Sequence, residues 1–339
     1  MKALDEMMLP FHKRIHLINL HTLKKSTILV TGATGLVGSN IIAYLSYVNR
    51  THKLNMRIIG IYRSSLEKWM TNDKNIRYIK KDLSKNKLIL REKIDFIIHA
   101  ATYGQPKKFI AKPRETVELN IQTLFDLLEL AVKHKSRFIY MSSAEIYGEA
   151  DKKHFPTDES YYGSVNTLSE RAIYAESKRL AETICYLYRD KIRVRIARLL
   201  ICYGPGVRHD DQRVYSEFIK RAQSLGQITM MDEGKAERTL CFISDAVEMV
   251  LNILLSSKEL VYNVSGKEVI SIKKLAQLIA KINNAKVTSV INRNVITGTP
   301  NRSSISNNKY LREFRKRQFV PLSIGMSATS DWLKNIKPT

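Results

Sequence analysis

The 339-residue sequence predicts an α/β fold in which a doubly wound parallel sheet is joined to a smaller C-terminal domain. Short runs rich in β-branched residues alternate with helical stretches, an order that is typical of parallel sheets. The runs are almost continuously apolar, as expected for strands that helices cover on both faces. The first run leads into a glycine-rich turn, which indicates a ligand at the carboxyl ends of the strands.

The predicted elements follow one another from residue 26. Strands are predicted over residues 27–30, 57–61, 96–98, 137–141 and 194–198. Apolar residues at three-and-four spacing predict helices over residues 38–47, 116–133 and 171–188. The alternation weakens after residue 200, where a last helix is predicted over residues 272–282 and a polar loop over residues 292–308.

The charge of the chain is strongly basic. It has 56 Lys and Arg residues against 32 Asp and Glu residues, which gives a formal net charge of +24. This charge is compatible with nucleic acid, an anionic membrane or an anionic small substrate, and does not choose among them. The basic run at residues 312–317 is interpreted as a solvated helix face, because no aromatic stacking platform accompanies it. We therefore predict no nucleic-acid partner.

Cysteine usage indicates a cytoplasmic protein. Cys185, Cys202 and Cys241 are far apart and form neither a disulfide framework nor a metal knuckle. No stretch approaches the about 18 uninterrupted apolar residues of a membrane span, so no membrane insertion is predicted. His12 and His16 are four residues apart but lack a third ligand, so no metal site is predicted either.

The glycine-rich turn at residues 31–38 reads TGATGLVG. Gly32 permits a tight turn, Gly35 lets the backbone approach a pyrophosphate, and Gly38 lets the helix pack on the strand. The helix N-terminus adds N–H groups and the positive end of a dipole. The turn therefore predicts a dinucleotide cofactor held by Gly32, Thr34, Gly35, Leu36, Val37 and Gly38.

The end of the second predicted strand bears on which dinucleotide is bound. An Asp or Glu normally accepts hydrogen bonds from the ribose 2′-hydroxyl at this place. This chain has Arg63 and Ser64 instead, which suit a 2′-phosphate. The sequence therefore favours NADP over NAD.

A candidate catalytic group combines Ser143, Tyr174 and Lys178. Tyr174 and Lys178 are four residues apart on a predicted helix and therefore share one face. A tyrosine with an ordinary pKa of about 10 is a poor base at neutral pH, but a nearby ammonium group favours the phenolate. Ser143 follows the predicted strand at 137–141, at the sheet edge where ligands bind.

These motifs together resemble a known family. In order, the chain contains TGxxGxxG, Asp82 and Leu83 after the third strand, His99 followed by two alanines, Asn120, SSxxxYG, YxxxK and YGPG. The combination is similar to the extended short-chain dehydrogenase/reductases that modify nucleotide sugars, the epimerase, dehydratase and decarboxylase group, over roughly residues 26–270. The resemblance implies a Rossmann domain that binds NAD(P), over residues 26–200 and about 236–256. It also implies a nucleotide-sugar-binding domain over residues 201–235 and 257–339, with residues 1–25 as an N-terminal extension outside the match.

The resemblance implies roles for individual residues. Ser143 and Tyr174 would contact the sugar hydroxyl that is oxidised, Lys178 would hold the nicotinamide ribose, and Glu145 would be a fourth catalytic residue. The implied cofactor contacts are Asp82, Leu83, Ala100, Ala101, Thr102, Asn120 and Ser142, together with Tyr174 and Lys178. The implied substrate contacts are Tyr103, Asn166, Arg171, Arg213 and Arg238, together with Ser143 and Glu145.

Within the family, residues 162–179, 210–214 and 238–245 are most similar to UDP-glucuronate decarboxylases. Two positions depart from the family pattern. Ile201 stands where an Asn usually binds substrate, and Ala144 stands where dehydratases carry the Asp of an Asp–Glu pair that eliminates water. The second departure argues against a standard 4,6-dehydratase.

The predicted function is an NAD(P)-dependent enzyme that acts on a nucleotide-diphosphate sugar through a 4-keto intermediate, for surface-polysaccharide precursors. Decarboxylation and 4-epimerisation are the favoured outcomes, and 4,6-dehydration and reduction of a 4-keto sugar are the alternatives. A non-catalytic NADP-binding scaffold or sensor is the alternative of another class. By resemblance, a homodimer is expected through the helices predicted at 116–133 and 171–188.

Overall fold

A seven-stranded parallel sheet forms the centre of the structure, a computed structural model that describes residues 4–289 and 302–336. In chain order the strands are β1 (Thr27–Thr31), β2 (Arg57–Tyr62), β3 (Ile76–Lys80), β4 (Phe96–His99), β5 (Arg137–Ser143), β6 (Val194–Leu199), β7 (Ile201–Tyr203), β8 (Gln227–Met230), β9 (Glu237–Phe242), β10 (Val261–Val264), β11 (Val269–Ser271), β12 (Lys286–Ser289) and β13 (Arg302–Ser303). The order across the large sheet is β10-β6-β5-β4-β1-β2-β3, with every pair parallel.

Helices cover both faces of this sheet. They are α1 (Leu4–His12), α2 (Leu36–Thr51), α3 (Pro106–Ala111), α4 (Pro113–Val117), α5 (Thr123–His134), α6 (Ala172–Leu187), α7 (Val214–Leu225), α8 (Ile243–Ser256), α9 (Ile272–Asn283), α10 (Asn308–Phe314) and α11 (Leu322–Asn335), with a π turn at Glu118–Gln122. Among the described residues, none of these helices combines the length and the apolar character that crossing a bilayer requires.

Strand β1 shows why this sheet is buried on both sides. Its residues alternate between two hydrophobic cores: Ile28 and Val30 pack in the core that contains Leu45 of α2, and Leu29 packs in the core that contains Leu128 of α5. All five residues of β1 are buried. The chain order reverses between β1 and β4, and parallel sheets open a ligand crevice at such a point, outside the carboxyl ends of the strands.

The prediction of a doubly wound parallel sheet is confirmed, and the five predicted strands are its β1, β2, β4, β5 and β6. Strand β10, which lies beyond the predicted Rossmann residues, pairs with β6 and extends the same sheet. The predicted cofactor domain therefore needs residues 261–264 in addition to residues up to 256. Of the polar loop predicted over residues 292–308, residues 292–301 lie outside the described residues.

A second group of elements follows residue 200. Strands β7, β9, β11 and β13 form a mixed sheet, and β8 pairs with β12. Helices α7, α9 and α11 pack against one another beside these strands. This region matches the place of the predicted sugar-binding domain, and its separate function stays a proposal.

The N-terminal residues are an integral part of this fold. Leu4 and Met8 of α1 are fully buried, and the Leu4 N–H donates to the carbonyl of Trp69 at 2.9 Å. The ring of Phe11 lies 4.7 Å from the ring of Phe242. The extension predicted at residues 1–25 is therefore packed on the molecule over the part that the structure describes.

Beyond α1, the chain is fastened to α8 by side-chain hydrogen bonds, of which Asn252 makes two and Glu248 and Ser256 make others. The Asn252 side chain accepts from the N–H of Ile18 at 2.8 Å and donates to the carbonyl of His16 at 2.9 Å.

Helix α1 ends at His12, so His12 and His16 do not share a helical face. Burial, and then the charge of Arg50, lowers the pKa of His12 to about 4. Among the described residues, no three His, Cys, Asp or Glu side chains are grouped as metal ligands.

A buried ion cluster links α8 to the chain after α10. The Lys316 ammonium lies 3.0 Å from a carboxylate oxygen of Asp245 and 3.1 Å from one of Glu248, and the exposed fraction of each side chain is 8% or less. The prediction that residues 312–317 form a solvated face is therefore wrong at Lys316. Two carboxylates on consecutive turns of a buried helix need a cation, because unpaired buried charge is very costly.

Replacing Lys316 tests this cluster. Lys316→Gln should lower the free energy of unfolding by about 3–5 kcal/mol at neutral pH, because two carboxylates lose their cation. Burial raises the pKa of Glu248. Because Glu248 is protonated more readily than an ordinary carboxylate, the loss should shrink as the pH falls through its raised pKa. Urea unfolding at several pH values measures this.

The control is Arg317→Gln, which removes the exposed neighbouring cation and should change the stability by no more than about 0.5 kcal/mol. Equal losses in the two variants would contradict the role of the cluster.

Candidate active site

The glycine turn after β1 leaves no room for side chains. Gly32 has a φ of +69°, and a Cβ there would lie 2.7 Å from the carbonyl oxygen of Ala100. A Cβ on Gly38 would lie 2.2 Å from the carbonyl oxygen of Gly32. Gly35 is the N-cap of the 16-residue helix α2. The N–H groups of the first turn, at Leu36 and beyond, therefore have no partner inside the helix and face the crevice end of the sheet.

The loop after β4 closes against this turn. The Thr31 hydroxyl accepts the N–H groups of Ala100 and Ala101, each at 3.2 Å, and shares a 2.8 Å hydrogen bond with Nδ1 of His99. The backbone N–H groups of both alanines are therefore already used within the protein. The Thr102 hydroxyl is buried and has no hydrogen-bond partner among the described residues.

Arg63 and Ser64 are exposed after β2. The guanidinium carbon of Arg63 lies 4.7 Å from the ring centre of Tyr103, and the Tyr103 hydroxyl is buried without a hydrogen-bond partner among the described residues. Tyr103, predicted to bind the sugar, thus contacts the side chain predicted to select the cofactor. Its role toward the sugar stays a prediction.

Three predicted cofactor residues take part in internal contacts. The Asp82 carboxylate accepts from the N–H and the hydroxyl of Ser84. Leu83 is almost fully buried, and its carbonyl accepts from Thr123. Asn120 is fully buried in the π turn. Its amide nitrogen donates to the hydroxyl of Ser177 on α6 at 2.9 Å, and its amide oxygen has no partner among the described residues, so its role toward the cofactor stays a prediction.

Ser142 takes part in a buried ion network. Its hydroxyl donates to Glu182 of α6, and Glu182 forms an ion pair with Arg198 at 2.7 Å. The exposed fraction of both charged side chains is 12%. Arg198 donates onward to the hydroxyl of Tyr147 at 2.9 Å. Ser142 thus joins β5 to β6 and α6, and its contact with the cofactor stays a prediction.

Ser143, Tyr174 and Lys178 do come together at the carboxyl end of β5. Burial and then the charge of Glu145 raise the pKa of Tyr174, and the Ser143 hydroxyl is close enough to lower it against them. The Lys178 ammonium lies 5.7 Å from the ring centre of Tyr174 and donates to the carbonyl of Met141 at 2.7 Å. Burial lowers the pKa of Lys178 to about 7.

A residue that the sequence motifs did not reveal lies on Tyr174. The ring of Phe109, from α3, stacks on the ring of Tyr174 with the centroids 4.7 Å apart and 10° between the planes. Phe109 is about 1% exposed. No family motif includes this position, so its contact with Tyr174 becomes visible only in three dimensions.

Glu145 sits between two arginines. It accepts a 2.6 Å hydrogen bond from Arg171, and these side chains are 38% and 25% exposed. Arg238 is close to both, since burial and then the charge of Arg171 lower the pKa of Arg238 while Glu145 and Asp232 raise it. The structure therefore brings Glu145, Arg171 and Arg238, all predicted from the sequence, into one cluster of a carboxylate and two guanidinium groups.

Arg213 is also in this region, because its charge lowers the pKa of Tyr174 against the effect of burial. Its Nε and Nη2 groups both donate to the carboxylate of Asp211, at 2.9 Å and 2.6 Å, and its Nη1 donates to the carbonyl of Cys202 at 3.0 Å. Asp211 is almost fully buried. Because Asp211 accepts from Nε and Nη2 of Arg213, a substrate phosphate would meet only the other N–H groups of this guanidinium.

Asn166 lies apart from this cluster. It is exposed, and its side chain accepts the N–H of Leu168 at 3.0 Å within its own loop. The geometry supplies no contact between Asn166 and the residues around Tyr174, so its role with substrate stays a prediction.

Fold and site define a class of protein. A glycine turn into a helix, a hydroxyl at the end of β5 and a Tyr–Lys pair on α6 are the parts of a dinucleotide-dependent enzyme of the short-chain type. The chain belongs to the NAD dependent epimerase/dehydratase family, whose model matches residues 28–265. The predicted family and its NAD-dependent enzyme class are confirmed.

Among curated proteins, the chain is similar to UDP-glucuronic acid decarboxylases. It is 30% identical over 260 residues to UDP-glucuronic acid decarboxylase 1 of Xenopus tropicalis, which is 76% of this chain and 60% of that protein. It is 29% identical over 261 residues to UDP-glucuronic acid decarboxylase 6 of Arabidopsis thaliana, which is 75% of this chain and 74% of that protein. The chain thus matches less than two thirds of the length of the frog relative.

Solved structures share the fold. A UDP-glucuronic acid 4-epimerase from Bacillus cereus, in complex with UDP-glucuronic acid and NAD, superposes with a TM-score of 0.75 at 24% identity, over 91% of this chain and 99% of that one. A dTDP-glucose 4,6-dehydratase from Streptomyces venezuelae gives a TM-score of 0.77 at 23% identity, over 91% and 97% of the two chains.

The residues of this chain fit a dinucleotide. The turn at Gly32 and Gly38 forms a cradle that any Cβ would fill, and α2 begins beside it with free N–H groups. The Thr102 hydroxyl is a buried polar group with no protein partner among the described residues. These features agree with the NAD dependence of the family.

The ion network behind the site offers a test of Ser142 and its neighbours. Glu182→Ala should lower the free energy of unfolding by about 3–5 kcal/mol, because Arg198 is left buried without its carboxylate. Glu176→Ala is the control on the same helix. Its 3.5 Å pair with Arg179 is exposed, so its loss should cost no more than about 1 kcal/mol. Urea unfolding measures the free energy of unfolding of both variants. Similar losses of stability in the two would contradict the structural role of the network.

Proposed function

We propose that this chain oxidises C-4 of a nucleotide-diphosphate sugar and uses the resulting 4-keto sugar for a second step. The observation that carries the proposal is the group of Ser143, Tyr174 and Lys178 at the crevice, with the Lys178 ammonium 5.7 Å from the ring centre of Tyr174. A scaffold or sensor that only binds the dinucleotide has no need of this whole group.

The first step follows from the position of Tyr174. When bound, the nicotinamide ring supplies the hydride acceptor and a positive charge beside the phenol. Tyr174 takes the proton of the C-4 hydroxyl as a general base, and Ser143 holds both oxygens in place. In the free protein, burial keeps Tyr174 neutral, since it raises the pKa of the phenol. Lys178 and the bound positive charge are then needed to favour the phenolate.

The second step concerns Glu145 and its arginines. A carboxylate at C-5 is β to the 4-keto group, so the bond between C-5 and this carboxylate can break. Carbon dioxide leaves, and the ketone takes up the electron pair as an enolate until C-5 is protonated. Return of the hydride to C-4 would then give the UDP-pentose and restore the oxidised dinucleotide. Arg171 and Arg238 suit a substrate carboxylate, and one would take the place at Arg171 that Glu145 occupies at 2.6 Å. Similarity to UDP-glucuronic acid decarboxylases supports UDP-glucuronate as substrate and decarboxylation as the outcome.

Inversion at C-4, in which the hydride returns to the other face of the sugar, is the second candidate outcome. Ser143 and Tyr174 would serve it as well as decarboxylation, so these two residues do not distinguish the outcomes. Either product is an activated sugar, and we propose that it serves surface-polysaccharide synthesis.

The experiment is a product analysis. The purified full-length chain is incubated with NAD or NADP and a panel of UDP-, CDP-, GDP- and dTDP-sugars that includes UDP-glucuronate, and the products are identified by NMR. Release of carbon dioxide and a UDP-pentose supports the decarboxylase. A C-4 epimer, a 4-keto-6-deoxy sugar or a reduced sugar supports epimerisation, dehydration or reduction respectively. No conversion with cofactor bound would overturn the proposal in favour of a scaffold.

We propose a homodimer that forms through α5 and α6. Helix α6 exposes Leu180, Tyr186 and Leu187, which are 50–63% exposed, and α5 exposes Val132. Apolar surface on two adjacent helices supports an interface between copies. Sedimentation equilibrium tests it, and a monomer at micromolar concentration would contradict it.

Tyr174→Phe tests the proton transfer. Removing the phenol should lower turnover by about 10²–10⁴-fold, the usual contribution of general acid–base catalysis. NAD affinity, measured by calorimetry, should be kept. Tyr186→Phe removes a half-exposed phenol from the same helix and is the control, with unchanged turnover. Near-normal turnover in Tyr174→Phe would refute the assignment.

The preference for NADP rests on Arg63. No acid stands at the end of β2, and Arg63 is exposed over the ring of Tyr103. Calorimetric titration should show tighter binding of NADP than of NAD. Arg63→Ala should weaken the binding of NADP by about 10–100-fold, because one charge-assisted contact is lost, and should leave the binding of NAD almost unchanged. Arg57→Ala, an exposed cation at the other end of β2, is the control. Tighter binding of NAD by the unmodified chain would overturn this preference.

A further inference from the structure

Two features of the structure hold Tyr174. Its backbone lies in the first turn of α6, and the face of its ring is covered by Phe109. The helix fixes only the position of the Cα. The near-parallel Phe109 ring, 4.7 Å away, therefore fixes the plane of the phenol.

Phe109 is itself anchored to the substrate side of the crevice. It lies in α3, next to Lys108, which forms a 2.9 Å ion pair with Asp210. Gln105, which caps α3, donates to Asp211 at 3.2 Å, and Asp211 holds Arg213. The short helix α3 is thus tied to the loop that carries Arg213.

Phe109 also adjoins the Glu145 cluster. The guanidinium carbon of Arg171 lies 6.0 Å from the Phe109 ring centre, and the same guanidinium donates to Glu145. The buried Phe109 ring therefore contacts Tyr174, the candidate base, and lies beside Arg171, which holds Glu145. A residue that only filled the core would need neither the parallel stacking nor the position between these two groups.

From these contacts we infer that Phe109 is a positioning residue for Tyr174: its ring sets the plane of the phenol and so directs the hydroxyl toward the C-4 oxygen. The inference rests on the proposed function for the identity of the reaction, and on geometry alone for the contact. The loss of the ring should reduce kcat and leave KM and cofactor binding almost unchanged, because the binding groups are not removed.

The test compares four variants of the full-length chain. Phe109→Leu and Phe109→Met remove the flat ring, and the flexible Met side chain adapts to the space of the ring in case the Leu variant does not fold. Phe109→Tyr keeps the ring. Phe314→Leu is the matched control, because Phe314 stacks on Tyr310 with a 4.5 Å centroid distance in another part of the fold.

Two measurements are made on each variant. With the sugar that the product panel identifies, Phe109→Leu and Phe109→Met should lose about 10–100-fold in kcat, the cost of a small misplacement of a catalytic group. Phe109→Tyr should restore most of kcat, and Phe314→Leu should lower the melting temperature with kcat unchanged. Independently of turnover, 3-fluorotyrosine placed at position 174 should show a shifted ¹⁹F resonance in Phe109→Leu and Phe109→Met but not in Phe314→Leu.

The outcomes separate the two proposals. If the unmodified chain converts no sugar, the proposed function fails, and the ¹⁹F spectra still decide whether Phe109 fixes the ring. If the chain is active and a folded Phe109→Met variant keeps its kcat or its ¹⁹F resonance, the positioning role is overturned.

Discussion

The close approach of α2 to the ends of β1 and β4 is the constraint on which the site depends. At Gly38, a Cβ would overlap the carbonyl oxygen of Gly32, and at Gly32 it would overlap the carbonyl of Ala100. Backbone therefore lies directly against backbone, and Thr31 completes the contact by accepting two N–H groups from the loop after β4. This contact sets the distance between the helix N-terminus and the end of the sheet, and with it the space in which a pyrophosphate can lie.

Buried cations give the rest of the site its rigidity, and each has an assigned acceptor. Arg198 is paired with Glu182, Arg213 with Asp211, and Lys178 with the carbonyl of Met141. A charge in a low-dielectric interior persists only where such partners are present. These few residues account for little of the formal charge of +24, so the excess lies mainly on other, more exposed residues.

The sequence was sufficient for the sheet and for the Ser143, Tyr174 and Lys178 group, because strand and helix periodicities and the glycine turn are local properties. It failed where neighbours in sequence face different surroundings. Ser142 and Ser143 are adjacent on a strand and point to opposite faces, so Ser142 meets Glu182 while Ser143 lies near Tyr174. The contact of Phe109 with Tyr174 depends on where α3 lies. Lys316 follows a helix that ends at Phe314, which the charge pattern of residues 312–317 does not reveal.

The N-terminal segment has a consequence for how the chain is made. Ile18 and His16 bond to Asn252, more than 230 positions later, and Phe11 packs on Phe242. Contacts between such distant parts of a chain form slowly, because a long loop must close first. During synthesis, residues 4–18 leave the ribosome long before α8 exists, so this part of the core is completed only when most of the protein has been translated. The part of this segment that packs on β9 and α8, at Phe11 and residues 16–18, therefore lacks its partners throughout that interval and is available to chaperones.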